Sequence, residues 1–542
     1  MNPDYFLVSS YDPVERHHLH GFCFQGEDLI VDDAGYQRYV AARHLHIGPG
    51  QDGSYIVVHP SDQEIVIGTD FSGYHKLFLY QRGERWALSN SLIQLVRFAA
   101  EKNLPVTIDE NHLASFFIEG LFGDQLASFR TSVREVRLVP STMEAVIVRT
   151  FFGTTVKLRP TAAASAQAEH KGTYGEALRE YLRLWTGRMA TMLKSDLFMR
   201  SDLTGGRDSR AVLSLMLAAA RSVGEGLIRN VNFTSNKDAE ADFAVASRIA
   251  EEYGLRFMDT NRDPRAPVRL ETAEAYEKWK SLCLGVYSPI YFPGNRPVPT
   301  AVVFGGAGGE GHRRFYPSIA PDQFIDQRRR FIPSRAHFKR LKRDILEDLS
   351  MLRQGPGASV DPMVLHYRHF RDRCHGGRAP QYTTLISPLS GALLRHASSM
   401  CSAERMERSQ VLADILVNVD HKLAAMPYDS PKKSFDARHF AEVTDASAAF
   451  GSARTDGRIF AADATPMEDG DFTREKALRL LRDDFLTHYE RMRGTGFFPK
   501  AYLERARSTA EDAALHGRLV HARSGSAVSH VILAGELSRL SN

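Results

Sequence analysis

Leu197-Phe198-Met199-Arg200-Ser201-Asp202-Leu203 runs directly into Thr204-Gly205-Gly206-Arg207-Asp208-Ser209, after which Ala211, Val212, Leu215 and Met216 recur at helical spacing. Leu197 to Ser201 predicts a strand, the paired glycines a tight turn, and Arg210 to Ala220 a helix with one apolar face. Adjacent glycines let the backbone bend sharply and bring N–H groups close to a polyanion, while the start of a helix adds partial positive charge. Thr204 and Ser209 add a hydroxyl on either side. Asp208 repels phosphate by itself, so its natural role is to hold a magnesium ion that bridges phosphate oxygens. The stretch is not the GxxxxGK[ST] phosphate loop, because no lysine follows the glycines, and it is not GxGxxG.

Outward from this point, strand and helix alternate: a helix over Tyr174 to Leu193, a strand Ile228 to Phe233, a helix Ala239 to Tyr253 and a strand Thr300 to Phe304. Such alternation predicts a parallel sheet with crossover helices. Beyond the last strand the chain reads as mostly helical, without repeats. Upstream, short alternating runs predict strands at Tyr5 to Ser9, Leu29 to Val31, Ser54 to His59, Glu64 to Thr69, Leu77 to Tyr80 and Arg85 to Leu88. A helix over Glu110 to Glu119 and a hairpin of Val136 to Val139 with Met143 to Thr150 follow. The small-residue stretch after Arg159 carries no apolar stripe and reads as a linker. The expected organisation is a β-rich domain over 1–160, a linker over 161–172 and an α/β domain over 173–542.

A chain of 542 residues with 43% hydrophobic and 25% charged content has the composition of a folded protein of two or more domains. A net charge of +4 is too small for a nucleic-acid surface, and the cations between Arg328 and Arg343 read as a solvated helix face. The four cysteines, Cys23, Cys283, Cys374 and Cys401, form no CxxC pair, which argues against a disulfide framework or a cysteine zinc site and fits a reducing, cytoplasmic setting. No apolar run of about 18 residues occurs, and Met1 to Tyr5 does not open a signal peptide, so neither a membrane span nor a leader is expected. His17, His18, His20, His44 and His46 have no carboxylate spacing typical of a metal site and are assigned no role.

A second glycine-rich turn follows the strand ending at Phe304: Gly305-Gly306-Ala307-Gly308-Gly309-Glu310-Gly311-His312-Arg313-Arg314-Phe315-Tyr316. In parallel sheets ligands collect at the carboxyl ends of strands, so a second metal carboxylate belongs at such a place. Thr204 to Ser209 resembles the SGGxDS pyrophosphate loop of the asparagine synthetase superfamily, whose members cleave ATP between the α and β phosphates. Val302 to Tyr316 resembles the same family's GxGxDExxxGY string, with Glu310 in the place of the aspartate that shares magnesium with the loop carboxylate. Ser430-Pro431-Lys432-Lys433-Ser434-Phe435 resembles its late lysine segment, with Lys432 in the best-aligned place and Lys433 in reserve. Gly68 to Tyr80, Trp86 to Ser91 and Val136 to Thr142 resemble its glutaminase-like domain, around DxxGxxPLYY, FASE and LPPG.

The resemblance implies an N-terminal αββα domain of the Ntn-hydrolase type and a doubly wound, parallel-sheet ATP-pyrophosphatase domain with a helical extension. It implies ATP and Mg2+ as cofactors, with Thr204, Gly205, Gly206, Arg207, Asp208, Ser209, Gly306 and Gly308 at the nucleotide, Asp208 and Glu310 on the metal, and Lys432 or Lys433 stabilising charge during adenylation. The chain also departs from the family. Glutamine-hydrolysing members carry a cysteine directly after the initiator methionine, where this chain has Asn2, and Cys23 reads as a small buried hydrophobe. Ala307 stands where asparagine-forming relatives have glutamate and β-lactam-forming relatives have tyrosine, and Thr384 to Leu389 lacks the charged residues before the family's PFLD segment. Glutaminase activity, asparagine synthesis and β-lactam closure are therefore disfavoured. The expectation is an amide or macrolactam ligase acting on a small molecule or peptide that bears a carboxylate and an amine, without nucleic-acid or membrane partners, with a homodimer left open. Two other readings stay open: amidation by ammonia from a separate glutaminase, and a catalytically inactive ATP-binding or scaffold protein.

Overall fold

The helix after the paired glycines begins at Arg207, inside the glycine-turn motif, and runs to Val223. Its apolar residues Ala211, Val212, Leu215 and Met216 are buried against the strand Phe198–Asp202 and the helix Tyr174–Leu193. This is the computed structural model of the chain, which describes residues 5–541 except 15, 152, 170, 171, 262, 355, 356 and 464–466.

The fold is mixed α/β and contains a parallel sheet of four strands, in the order Val231–Thr234, Phe198–Asp202, Ala301–Phe304, Leu385–Ile386. From Phe198–Asp202 the chain first goes to the strand on one side and later returns to the strand on the other. The loops leaving Phe198–Asp202 and Ala301–Phe304 therefore diverge and leave a crevice at their carboxyl ends, the usual ligand position in such sheets. Both glycine-rich turns open at that crevice.

The N-terminal part forms two antiparallel layers face to face. One contains Leu7–Ser9, Arg85–Ser89, Phe78–Arg82 and Val136–Leu138 in that order. The other runs Gly153–Pro160, Met143–Thr150, Glu64–Thr69, Gly53–Pro60, His18–Gln25, Asp28–Val31 and Ile459–Phe460, with only the last pair parallel. Strand alternation splits the residues of Gly53–Pro60 between two cores. Ile56 and Val58 meet Val8, Leu79 and Leu88 between the sheets, whereas Tyr55 and Val57 face the helix Asp32–Arg43 on the outside. The helix Leu92–Glu101 covers the other outer face and shares a core with Trp279, Phe485 and Val531 from far along the chain.

Several expectations change. Val136–Leu138 and Met143–Thr150 form no hairpin: they belong to different sheets, and Pro140-Ser141-Thr142 carries the chain between layers. Met143–Thr150 pairs instead with Gly153–Pro160, a strand whose exposed Lys157 and Arg159 conceal its pattern. Glu110 to Glu119 is one short turn of α-helix, Glu110–Leu113, continued as a 3-10 turn to Phe117. The stretch read as a linker holds a helix, Ala162–Glu169, favoured by its alanines and started by Thr161, whose Oγ1 accepts from Ala164 N at 3.1 Å. The boundary near residue 160 is crossed again when Ile459–Phe460 joins the N-terminal sheet. Asn2 lies outside the described residues. Cys23 is fully buried beneath Asp32–Arg43, and burial pushes its thiol up. Among the described residues, no helix is long and apolar enough to cross a membrane.

Candidate active site

At the first turn, Thr204 and Ser209 close a small ring: Ser209 Oγ lies 2.8 Å from Thr204 Oγ1 and accepts from Thr204 N at 3.1 Å. Gly206 N donates to Thr204 Oγ1 at 3.2 Å. The hydroxyls expected to flank a ligand thus hold the turn itself in shape. Gly206 is the helix N-cap and offers no side-chain cap, so among the described residues the amides of the first helical turn lack both an intrahelical acceptor and a capping oxygen.

The second turn presses against the first. A Cβ on Gly306 would stand 2.8 Å from Asp208 Cβ, and one on Gly309 would stand 2.5 Å from Asp208 Cγ. Gly308 has φ +89°, and a Cβ there would lie 2.6 Å from Ser390 N. Three glycines of the second turn are therefore needed for space or backbone shape. Asp208 Oδ1 is buried and, among the described residues, makes no hydrogen bond, while a quarter of the side chain remains exposed. Burial pushes its carboxyl up to about 6; Arg313 opposes the shift and the neighbouring Glu310 carboxylate adds to it.

Arg313 holds the two carboxylates together. Its guanidinium pairs with Glu310 and lies 3.5 Å from Asp208 Oδ2. Two carboxylates sharing one cation, with one oxygen orphaned, form a hard-oxygen donor set that suits Mg2+. An incoming metal would have to share these groups with Arg313 or displace it.

The late lysine segment reaches the loop because Arg207 grips its backbone and Arg210, on the same helix, grips the stretch just before it. Buried Arg207 donates to Lys433 O at 2.5 Å, Ser434 O at 3.2 Å and Lys432 O at 3.4 Å, and stacks 4.8 Å from the Phe435 ring. Arg210, fully buried, donates to Leu423 O, Met426 O and Pro427 O and lies over the Tyr428 ring. Lys433 pairs with Asp429 at 2.6 Å, and its charge reaches Asp208. Lys432 is exposed, and among the described residues its ammonium has no ion-pair partner. Geometry thus favours Lys433, the residue held in reserve.

Three groups escaped the sequence reading: Arg313, Asp242 and Asp429. Asp242 Oδ1 accepts from Gly205 N at 2.6 Å, and Asp429 N donates to Gly205 O at 3.3 Å. A Cβ on Gly205 would lie 2.5 Å from Asp429 Cβ, which explains the first glycine of the pair. Burial raises the Asp242 carboxyl; the Gly205 amide opposes this and Asp429 adds to it. The only sequence signal for these groups was weak: an acid in the first turn of a helix, and an acid four residues before Lys433.

Behind the second turn lies a cavity of about 460 Å3 lined by Phe71, Met143, Leu365, Arg368, His369 and Arg395, among others. Arg368 connects it to the turn by donating twice to Gly311 O, at 2.8 and 3.0 Å. Compared with known proteins, the chain matches no protein-family model and no curated protein.

Proposed function

We propose that the chain is an ATP-dependent carbon–nitrogen ligase that adenylates a substrate carboxylate, releases pyrophosphate and passes the acyl group to an amine with release of AMP. The observation that carries this reading is the meeting of two glycine turns at adjoining parallel strand ends, with Asp208 Oδ1 buried between them and, among the described residues, without a hydrogen-bond partner. In this reading the αββα-like part is a glutaminase-type domain without its nucleophile, and the parallel-sheet part is an ATP-pyrophosphatase domain of the asparagine synthetase type.

The residues divide the work. The uncapped amides at Arg207 to Ser209 receive the departing pyrophosphate at the positive end of the helix dipole. Asp208 and Glu310 would hold a magnesium ion, which when bound would neutralise phosphate charge. Lys433 lies over the same loop and offers a cation where negative charge grows on the leaving phosphates. Ala307 has no proton-accepting group, so the amine loses its proton to another group or arrives unprotonated. Substrates are a small molecule or peptide with a carboxylate and an amine, and the setting is cytoplasmic.

The test is release of AMP and pyrophosphate from magnesium-ATP by purified protein supplied with a small-metabolite extract, with Asp208→Ala beside it. Release by wild type alone supports the reading; equal release by the variant sinks it. Ammonium stimulation of AMP formation would mark ammonia from a separate glutaminase as the nitrogen source. One observation favours the inactive scaffold instead: Arg313 already neutralises Asp208 and Glu310, and Asp242 already occupies Gly205 N–H. Failure of the protein to bind magnesium-ATP would select that reading.

A further inference from the structure

Three histidines outside the glycine turns converge at one end of two central strands of the N-terminal seven-stranded sheet. His18 pairs with Val58 across the strands His18–Gln25 and Gly53–Pro60, so the antiparallel register brings His17, just before the first strand, opposite His59 in the second. His46 comes from the loop after the helix Asp32–Arg43, which His44 ends in a left-handed conformation at φ +55°. The rings of His17 and His46 stack at 4.0 Å, and His59 lies 4.6 Å from His17 and 5.2 Å from His46. One nitrogen from each lies within 4.8 Å of the others.

We infer that His17, His46 and His59 form a binding site for a divalent transition metal of the zinc class, with a fourth coordination position open to water or a small ligand. Imidazole donors without a carboxylate select zinc, copper or nickel over magnesium or calcium. Zinc bonds of about 2.0–2.1 Å put tetrahedral ligand nitrogens roughly 3.3 Å apart, so the rings must close by somewhat more than an ångström, which side-chain rotation supplies. Two further observations point to a ligand. His17 Nδ1 and His59 Nδ1 are buried and, among the described residues, have no hydrogen-bond partner, a costly state that a metal removes. The Tyr36 hydroxyl lies 3.1 Å from His46 Nδ1; with Nδ1–H donated to it, Nε2 keeps the lone pair for a metal. Sequence spacing conceals the site because only sheet register and a loop join its members.

The inference does not depend on ligase activity, and its test uses the full, untagged chain with zinc chloride alone. Calorimetry of wild type should give one zinc per chain, and Co2+ should give the visible bands of a low-coordinate nitrogen site. His59→Gln and His17→Gln should each weaken binding at least tenfold, while His44→Gln, on the exposed neighbour, should leave it unchanged. Tyr36→Phe should cost about 10–100-fold through the lost orienting bond. Thermal midpoints without metal show which variants fold. The inference is overturned if wild type binds no zinc at micromolar protein, or if folded His59→Gln and His17→Gln bind it as wild type does.

Discussion

Asp208 and Gly309 meet so closely that a methyl group on Gly309 would stand 2.5 Å from Asp208 Cγ. The two residues belong to different turns, so this meeting fixes where the Asp208 carboxylate points. Gly309→Ala must push Asp208 away or open the second turn. Overpacking of this kind costs about 1–3 kcal/mol, and magnesium-ATP turnover should fall more than tenfold. Gly305→Ala is the matched control, because the nearest atom to its Cβ would be Leu385 Cδ2 at 3.6 Å, an ordinary contact. Steady-state rates and thermal midpoints of the two variants check the expectation; equal losses would detach Asp208 from the effect.

The Asp208 carboxyl, raised to about 6 chiefly by burial, also makes stability depend on pH. A carboxyl with a folded pKa above its unfolded value favours the folded state when protonated. Its stabilisation is full below about pH 4 and is lost as pH rises through about 6. Each tenfold change in proton affinity is worth about 1.4 kcal/mol. Allowing for the water that reaches a quarter of the side chain, Asp208→Asn should be about 2 kcal/mol more stable than wild type at pH 8. The two should converge near pH 4. Urea melts at both values decide it, and a variant no more stable than wild type at pH 8 would contradict that burial cost. Mg2+ affinity should rise between pH 5 and 7, as the proton leaves.

What the sequence disclosed, and what it did not, follows physical lines. Tyr174–Leu193 was legible because twenty residues of amphipathic helix leave little ambiguity, and its start carries a Thr173–Glu176 capping box. Glu64–Thr69 and Gly53–Pro60 were legible as short runs of β-branched apolar residues. His18–Gln25 escaped notice because histidines and a glycine interrupt its pattern, and Asp32–Arg43 because its buried face is Gly35, Tyr36 and Tyr39 with no side-chain cap. The two glycine turns were legible because each follows an apolar strand, and parallel strand ends converge. Arg313, Asp242 and Asp429 were not, since their roles exist only after separate segments return to one place.

Arg207 and Lys433 act as a unit, because the arginine grips the backbone of the lysine segment. Arg207→Ala removes three charge-assisted bonds to carbonyls and should cost about 2–4 kcal/mol. Residues 430–435 should then exchange amide hydrogens faster, while the core of the helix Arg207–Val223 stays protected. Lys433→Ala, which leaves the grip intact, should lower turnover at least tenfold with little change in stability, since exposed ion pairs contribute about 0–1 kcal/mol. Lys432→Ala should change neither. Hydrogen exchange with mass spectrometry and rates for the three variants separate these roles; a loss in Lys432→Ala equal to that in Lys433→Ala would restore the alignment order over the geometry.

Arg313 gives the sharpest division between a working metal site and a neutralised one. It pairs with Glu310 and lies 3.5 Å from Asp208, so in Arg313→Gln two neighbouring carboxylates lose their shared cation. Without metal the variant should be less stable than wild type by about 1–3 kcal/mol above pH 7, where Asp208 has lost its proton. Below about pH 5 the loss should shrink as Asp208 takes up its proton. If these oxygens serve Mg2+, magnesium chloride should raise the thermal midpoint of the variant more than that of wild type, because the metal supplies the missing charge without competing with a guanidinium. Sodium chloride at equal ionic strength controls for screening. A variant that magnesium leaves no more stable than sodium does would mean that Arg313 is the permanent counter-ion of this pair, and the adenylation reading would lose its metal.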